Sequence, residues 1–265
     1  LSMAALFIGG LIPAAVIGVC LMILIYVRAR LANVPRAARP PLGVLLRAAA
    51  GAILPLLMPV LLFGGILFGI ATPTEVSSFA VIYGVVLAMI VYRELTPGAL
   101  GRTIVDSASL TGMILFILAA ASAFSWVLTV AQLPQRLVGV LHAVNDSVAI
   151  FLVGSVILLI VAGSLLEGLP ALNVLAPLLI PIAGQIGVSQ LHYGMVLIIA
   201  MGVGAFMPPA GVGFYVCCAI QRTSVEEAAR AMIPYLVVLV VGLLIVTFVP
   251  WFTLSLPHAF GFARA

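Results

Sequence analysis

The sequence predicts an all-α integral membrane protein: a polytopic helical bundle with a re-entrant hairpin and a broken helix. Three observations predict it. Hydrophobic residues make up 65% of the 265 and charged residues only 7%, whereas soluble domains carry about 25% charged residues. Apolar stretches of about 20 residues, the length of a spanning helix, recur along the chain, and mean hydropathy is +1.39. Two of the later apolar stretches carry glycine and proline at their centres. Non-helical backbone at membrane depth survives only where it is buried in protein or lines a cavity.

Each element follows in order. Residues 1–50 hold the first span, 6–27, an arginine-rich cytoplasmic loop and a short interfacial helix over 42–50. Residues 51–107 hold a second span over 52–70, the motif Ala71-Thr72-Pro73-Thr74-Glu75, a third span over 76–92 and an interfacial connecting helix between Glu94 and Asp106. Thr72 as N-cap, Pro73 at the first helical position and Glu75 three residues on spell a capping box, with Thr74 between them. Residues 108–231 begin with a fourth span over 110–130 that contains Ser122, Ser125 and Trp126. A hairpin over 147–186 follows, its tip at 163–170, where Glu167-Gly168-Leu169-Pro170 interrupts two apolar arms. A broken helix over 193–220 carries Gly202, Gly204, Met207-Pro208-Pro209 and Gly211. Residues 232–265 form the last span, 232–251, and a short tail. Trp126 and Trp251 read as packing or interfacial anchors.

Charge orients the bundle. All eleven basic residues are arginine, and the net charge is +4. They are scattered rather than clustered with aromatics, which excludes a nucleic-acid surface. With Arg28, Arg30, Arg36, Arg39 and Arg47 inside and the hairpin counted as no crossing, Arg93, Arg102, Arg222 and Arg230 also fall inside. Arg136 and Arg264 remain outside. Two full crossings in place of the hairpin give the same parity. Cys20, Cys217 and Cys218 read as small buried helix residues. The chain opens at Leu1 without a basic leader, and we read it as part of a longer polypeptide rather than as a signal peptide.

The chemistry lies at the two interruptions. Broken helices in secondary transporters aim half-helix N-termini at anionic groups and unwound carbonyls at cations, without many charges in lipid. Gly163, Ser164, Glu167, Gly168 and Asn173 at the hairpin, with Gly202, Gly204, Met207, Pro208, Pro209 and Gly211 at the break, are the candidate ion- and substrate-binding residues. Glu167 is the only charged residue between Asp146 and Arg222; it reads as an ion ligand, a proton carrier or an acceptor at the tip, or as a cap of the second arm. Ser164 and Asn173 read as ligands or as helix-packing groups. Enzymatic signatures such as HExxH and GxSxG are missing, as is a nucleotide loop. A Ser164–His192 dyad yields to an interfacial histidine at a helix mouth.

Four stretches in order carry a resemblance: Gly64-Gly65-Ile66 with Ala71-Thr72-Pro73-Thr74-Glu75, Ala121-Ser122-Ala123-Phe124-Ser125-Trp126-Val127-Leu128-Thr129, His192-Tyr193-Gly194, and Pro208-Pro209-Ala210-Gly211. Together they resemble the large membrane subunit of TRAP transporters (tripartite ATP-independent periplasmic transporters, DctM type), in its later part with the second inverted repeat. The resemblance implies an elevator-type secondary transporter of the bacterial inner membrane, with the hairpin and broken helix in the moving domain and the other helices as scaffold. It also implies Na⁺ as coupling ion, an organic acid such as a C4-dicarboxylate as substrate, a periplasmic substrate-binding protein that delivers it, and a small membrane subunit as partner. No cofactor besides the ion is implied. The chain departs from the family's usual pattern at Glu167, where an aspartate is common, at Met207, where a threonine is common, and at Ala200-Met201, where an asparagine is common. A structural or assembly subunit without its own ion site is the alternative reading.

Overall fold

The computed structural model describes residues 2–33, 40–132, 139, 147–166, 168–208 and 211–262. Among them the secondary structure is helical throughout: α1 Met3–Gly9, α2 Leu11–Leu31, α3 Leu42–Leu67, α4 Pro73–Val86 with a π-turn over Leu87–Val91, α5 Pro97–Val130, α6 Val148–Leu165, α7 Gly168–Gln185, α8 Gln190–Ala205, α9 Val212–Gln221, α10 Val225–Phe248 and α11 Trp251–Ala259. Seven helical segments, both hairpin arms included, are long and apolar enough to cross a bilayer. The chain is an integral membrane protein built of helices. Two compact units are distinguished, one of residues 31–113 and one of residues 1–30 with 114–265.

In the unit of residues 31–113, α3 and α4 pack through a glycine. A Cβ on Gly65 would stand 2.9 Å from Val76 Cγ2, so the missing side chain sets how near the two helices come. Pro55 and Pro59 lie inside α3. Pro55 has no N–H to give the carbonyl of Gly51 one turn back; the Tyr92 hydroxyl donates to that carbonyl at 3.2 Å. Thr72 opens α4 through the predicted capping box, its N–H donating to Glu75 Oε2 at 2.7 Å and its Oγ1 accepting from the Glu75 N–H at 3.4 Å.

Two interfacial helices expected from the sequence are not separate elements. The stretch 42–50 continues into the second span as the single helix α3, and 97–106 continues into the fourth as α5, of 34 residues. A lone glycine at 51 costs about 1 kcal/mol in a helix interior and does not end one. A change from interface to lipid alters which side chains are favoured, and the backbone ladder runs on through it.

In the other unit, α8 packs against both hairpin arms, α6 and α7, and against α10. Leu159, Ala171, Val196, Leu197, Ala200 and Leu243 are fully buried there, and this is the core. By contrast, no residue of α3 is buried. The ring of Phe151 on α6 lies 5.3 Å from that of Tyr193 on α8.

Two expectations change at the C-terminal end. The last span begins at Val225 instead of 232, capped by the Ser224 hydroxyl, which accepts from the Glu227 N–H at 3.3 Å. What reads as a short tail folds as α11, which packs on α1 and α8. That return buries His192, which is 1% exposed and not interfacial. Its Nε2 stands 3.0 Å from the Thr247 carbonyl and its Nδ1 2.7 Å from Thr253 Oγ1. A carbonyl only accepts, so Nε2 carries the proton, and Nδ1 faces the Thr253 hydroxyl, whose single hydrogen is also within reach of the Pro250 carbonyl at 2.9 Å. His192 thus ties the start of α8 to the corner between α10 and α11. Cys218 is buried as expected, whereas Cys217 is exposed, because α9 is a surface helix with one inward face.

The substitution His192→Ala removes a buried ring and orphans the Thr247 carbonyl, while the Thr253 hydroxyl keeps the Pro250 carbonyl, and should lower stability by about 2–4 kcal/mol. Thr253→Val, which leaves Thr247 paired, should cost about 1 kcal/mol. Thermal unfolding in detergent micelles reads both; an unchanged His192→Ala transition would show that the corner holds without the ring.

Candidate functional site: the cavity between hairpin tip and helix break

The first hairpin arm stops where Leu166 turns extended, at φ −113° and ψ 153°, its N–H held by the Ala162 carbonyl at 2.8 Å. The second arm starts with Gly168-Leu169-Pro170, proline standing in the first turn where its missing N–H leaves no intrahelical bond unmade. On the other side, α8 ends at Ala205. The Met207 N–H donates to the Gly204 carbonyl at 2.8 Å and the Gly211 N–H to the Met207 carbonyl at 2.9 Å, and a new helix starts at Val212. No side chain caps that N-terminus at Gly211.

Glycine lets the two interruptions meet. A Cβ on Gly163 would lie 2.8 Å from the Met201 carbonyl oxygen, and one on Gly204 would land on the Ile160 carbonyl and the Gly163 backbone. The partners are backbone atoms, which cannot swing aside. The tip and the break therefore sit across one cavity of about 390 Å³, lined by Ile114 and Ile117 of α5, Gly163, Leu166, Gly168, Leu169 and Pro170 of the hairpin, and Ala205 and Gly213 of the break. No charged side chain is among these lining residues. The first turns of α7 and α9 and the ends of α6 and α8 all border the cavity, so positive ends of two helices and negative ends of two others meet there. The carbonyl oxygens of Ala205 and Met207 both turn towards Gly211, about where its Cβ would be.

The predicted site residues separate into groups. Gly163 and Gly168 line the cavity; Gly204 provides the close approach, and Gly211 lies against the two carbonyls. Met207 and Pro208 sit half-buried in the break. The Ser164 hydroxyl donates to the Val161 carbonyl of its own helix at 2.9 Å. The Asn173 amide donates to Ser122 Oγ at 2.7 Å and to the Leu118 carbonyl at 3.3 Å, bracing the second arm on α5. Gly202 is exposed, with nothing within 4 Å of its missing Cβ, so it belongs to another face of α8. Thr72, Pro73, Thr74 and Glu75 form the cap of α4; Ser125 and Trp126 lie along α5, where Trp126 is 68% exposed. Glu167 and Pro209 lie outside the described residues, as do Arg136 and Asp146. Among the described residues, no three His, Cys, Asp or Glu side chains gather to hold a metal.

Sequence reasoning missed Ile114, Ile117, Ala205 and Gly213. The last two adjoin the break, and their position in it was the available signal. Ile114 and Ile117 are two apolar residues in an apolar helix; only packing distinguishes them.

The family model of the tripartite ATP-independent periplasmic transporter, DctM component, matches residues 1–252. The C4-dicarboxylate TRAP transporter large permease protein DctM of Pseudomonas aeruginosa is 35% identical over 260 residues, covering 98% of this chain and 61% of the relative. The isethionate TRAP transporter permease protein DctMQ of Oleidesulfovibrio alaskensis is 31% identical, covering 94% and 39%. The sialic acid TRAP transporter large permease protein SiaM of Vibrio cholerae is 30% identical, covering 98% and 61%. The chain thus spans at most about three-fifths of the length of these relatives.

A methyl group tests the close approach. Gly204→Ala should destabilise by about 1–3 kcal/mol, since two backbones must part. Gly202→Ala, two residues earlier in the same helix, meets open space and should stabilise by up to about 1 kcal/mol. Unfolding temperatures moving in the same direction in both variants would contradict the assignment of the two faces.

Proposed function

The chain belongs to the DctM component family of tripartite ATP-independent periplasmic transporters, and on that premise we propose that it forms the substrate- and ion-handling part of a large permease subunit. In this reading it serves cation-coupled uptake, with Na⁺ as the ion, of an organic acid that a periplasmic binding protein delivers. A small membrane subunit completes the system in the bacterial inner membrane. The observation that supports the reading is the shared cavity of tip and break, which has helix ends of both signs and, among the described residues, no charged lining side chain.

Elementary electrostatics supports each role. A carboxylate placed against the first turns of α7 and α9 meets unpaired backbone N–H groups and the positive helix ends. A hard cation prefers oxygen, and the Ala205 and Met207 carbonyls supply it without charge; the Met207 thioether is too soft to take part. Anion and cation neutralise one another in the same low-dielectric space, so each favours the other's binding, which is the basis of coupling. A volume of about 390 Å³ suits a small acid. The names of the relatives supply the class, whether C4-dicarboxylate, isethionate or sialic acid. Each arm, at 18 residues and about 27 Å, is at the lower limit for the ~30 Å hydrocarbon core; because the link between the arms is short and carries no arginine, we read the hairpin as re-entrant, its tip and the cavity at depth. Glu167 stands between Leu166 and Gly168, two lining residues, and we assign it to the ion.

Uptake into proteoliposomes holding the full-length permease, the small subunit and the loaded binding protein tests the reading. An inward Na⁺ gradient should drive accumulation, and its collapse should abolish it; uptake indifferent to the gradient would sink ion coupling. Glu167→Gln should lower uptake about tenfold or more with insertion unchanged, the loss of one charge-assisted contact. A full complex that assembles normally yet binds neither ion nor acid would favour an assembly subunit without its own ion site.

A further inference from the structure

A second, larger depression lies on another face of α8, away from the cavity. It is a trough of about 830 Å³ between α2, the end of α8 and the first half of α10, with Ile25, Gly202, Phe206, Met232, Tyr235 and Leu239 among its walls. The wall is apolar along its length and polar at one end. Glu227 lines that end, and the Arg28 guanidinium lies 5.5 Å from the Tyr235 ring centroid and donates to the Ala231 carbonyl at 3.3 Å. A guanidinium has five N–H donors; one such bond leaves most of them available. No acid pairs with Arg28 among the described residues. Ala231 and Glu227 stand four residues apart on one helix, which puts them about 6 Å apart on one face. The neighbouring acid, Glu226, is held by Arg230 at 2.8 Å, while Glu227 keeps an exposed side chain at the trough. A cationic and an anionic group, about one helical turn apart, therefore stand at the mouth of a long apolar channel at the arginine-rich membrane surface.

We propose that this trough seats one zwitterionic phospholipid, phosphatidylethanolamine, with an acyl chain along Gly202 and Tyr235, its phosphate on Arg28 and its ammonium on Glu227. The charges decide the headgroup. A phosphate alone would satisfy Arg28 and be repelled by Glu227, whereas a headgroup with both signs fits the pair in order. The apolar wall decides the remainder, since every CH₂ placed against it is removed from the bilayer edge without exposing the polar mouth. The seat is separate from the cavity of tip and break: Phe206 borders the trough while its neighbour Ala205 borders the cavity.

Gly202 offers a clean way to fill the trough, because nothing lies within 4 Å of the position of its Cβ. The full-length permease is to be delipidated in detergent, offered dioleoylphosphatidylethanolamine or dioleoylphosphatidylglycerol, and weighed by native mass spectrometry. Wild type should retain one phosphatidylethanolamine per chain at this seat, preferred about tenfold, the ratio of one charge-assisted hydrogen bond. Gly202→Leu and Ala228→Leu, the latter also in the trough wall, should each lose that lipid with unfolding temperature maintained; the second variant serves if the first misfolds. Arg28→Ala should weaken retention, and Glu227→Gln should keep a lipid but erase the preference. Equal retention of the two lipids by wild type would overturn the headgroup assignment. Retention unaltered in both leucine variants would overturn the seat, and so would Gly202→Cys cross-linking to protein rather than reacting with a lipid-borne label.

Discussion

The meeting of two backbones at Gly163 and Gly204 is the contact on which the functional half of this chain depends. A membrane interior provides little hydrophobic drive between helices, because lipid tails solvate leucine as well as another helix does. What remains is dispersion between surfaces that fit closely, and that falls off within a fraction of an ångström. With no Cβ at either position, α6 and α8 approach until backbone meets backbone. The tip of one and the break after the other are thereby brought to opposite walls of one cavity.

The same constraint explains how the chain handles its backbone polar groups. Each prolines-in-helix position leaves a carbonyl without its donor, and lipid has none to lend. In α3 the hydroxyl of Tyr92 serves the Gly51 carbonyl that Pro55 cannot. At the corner between α10 and α11, His192 joins the Thr247 carbonyl and Thr253. Around the cavity the carbonyls of Ala205 and Met207 turn towards Gly211, that of Met207 accepting the Gly211 N–H, while no side chain caps the start of α9. An uncapped helix start beside a cavity is open to a ligand's own polar atoms.

Much of this was legible in sequence, for reasons tied to particular residues. The cap at Thr72 is a local motif with a local mechanism, and it forms as read. The breaks at 166 and after Ala205 fall in the glycine- and proline-bearing stretches read in the sequence, although Gly168-Leu169-Pro170 belong to the first turn of α7 and Pro177 and Pro181 are held inside it. The helices expected over 42–50 and between Glu94 and Asp106 are not separate elements, because composition reports the surroundings of a helix and not its ends. His192 failed because its burial comes from α11, a helix of nine residues that hydropathy does not distinguish from a tail. Gly202 and Gly204 look alike in sequence, yet one faces open space and the other a neighbouring backbone; two residues turn a helix through about 200°, at 3.6 residues per turn.

Solvent and fold class follow from the residues alone, since scarcity of charge and apolar run length act locally and do not need a partner. The residues also carry the family likeness across 1–252. Only the tertiary structure decided which interruptions face one another, that Asn173 braces a helix on Ser122, and that Ile114 and Ile117 complete the cavity wall. Those facts rest on contacts between residues far apart in the chain, and in an apolar sequence nearly every residue is equally fit to make them. Periodicity marks a face when water and core differ. With lipid outside and protein within, both apolar, that contrast disappears, and packing alone selects the face.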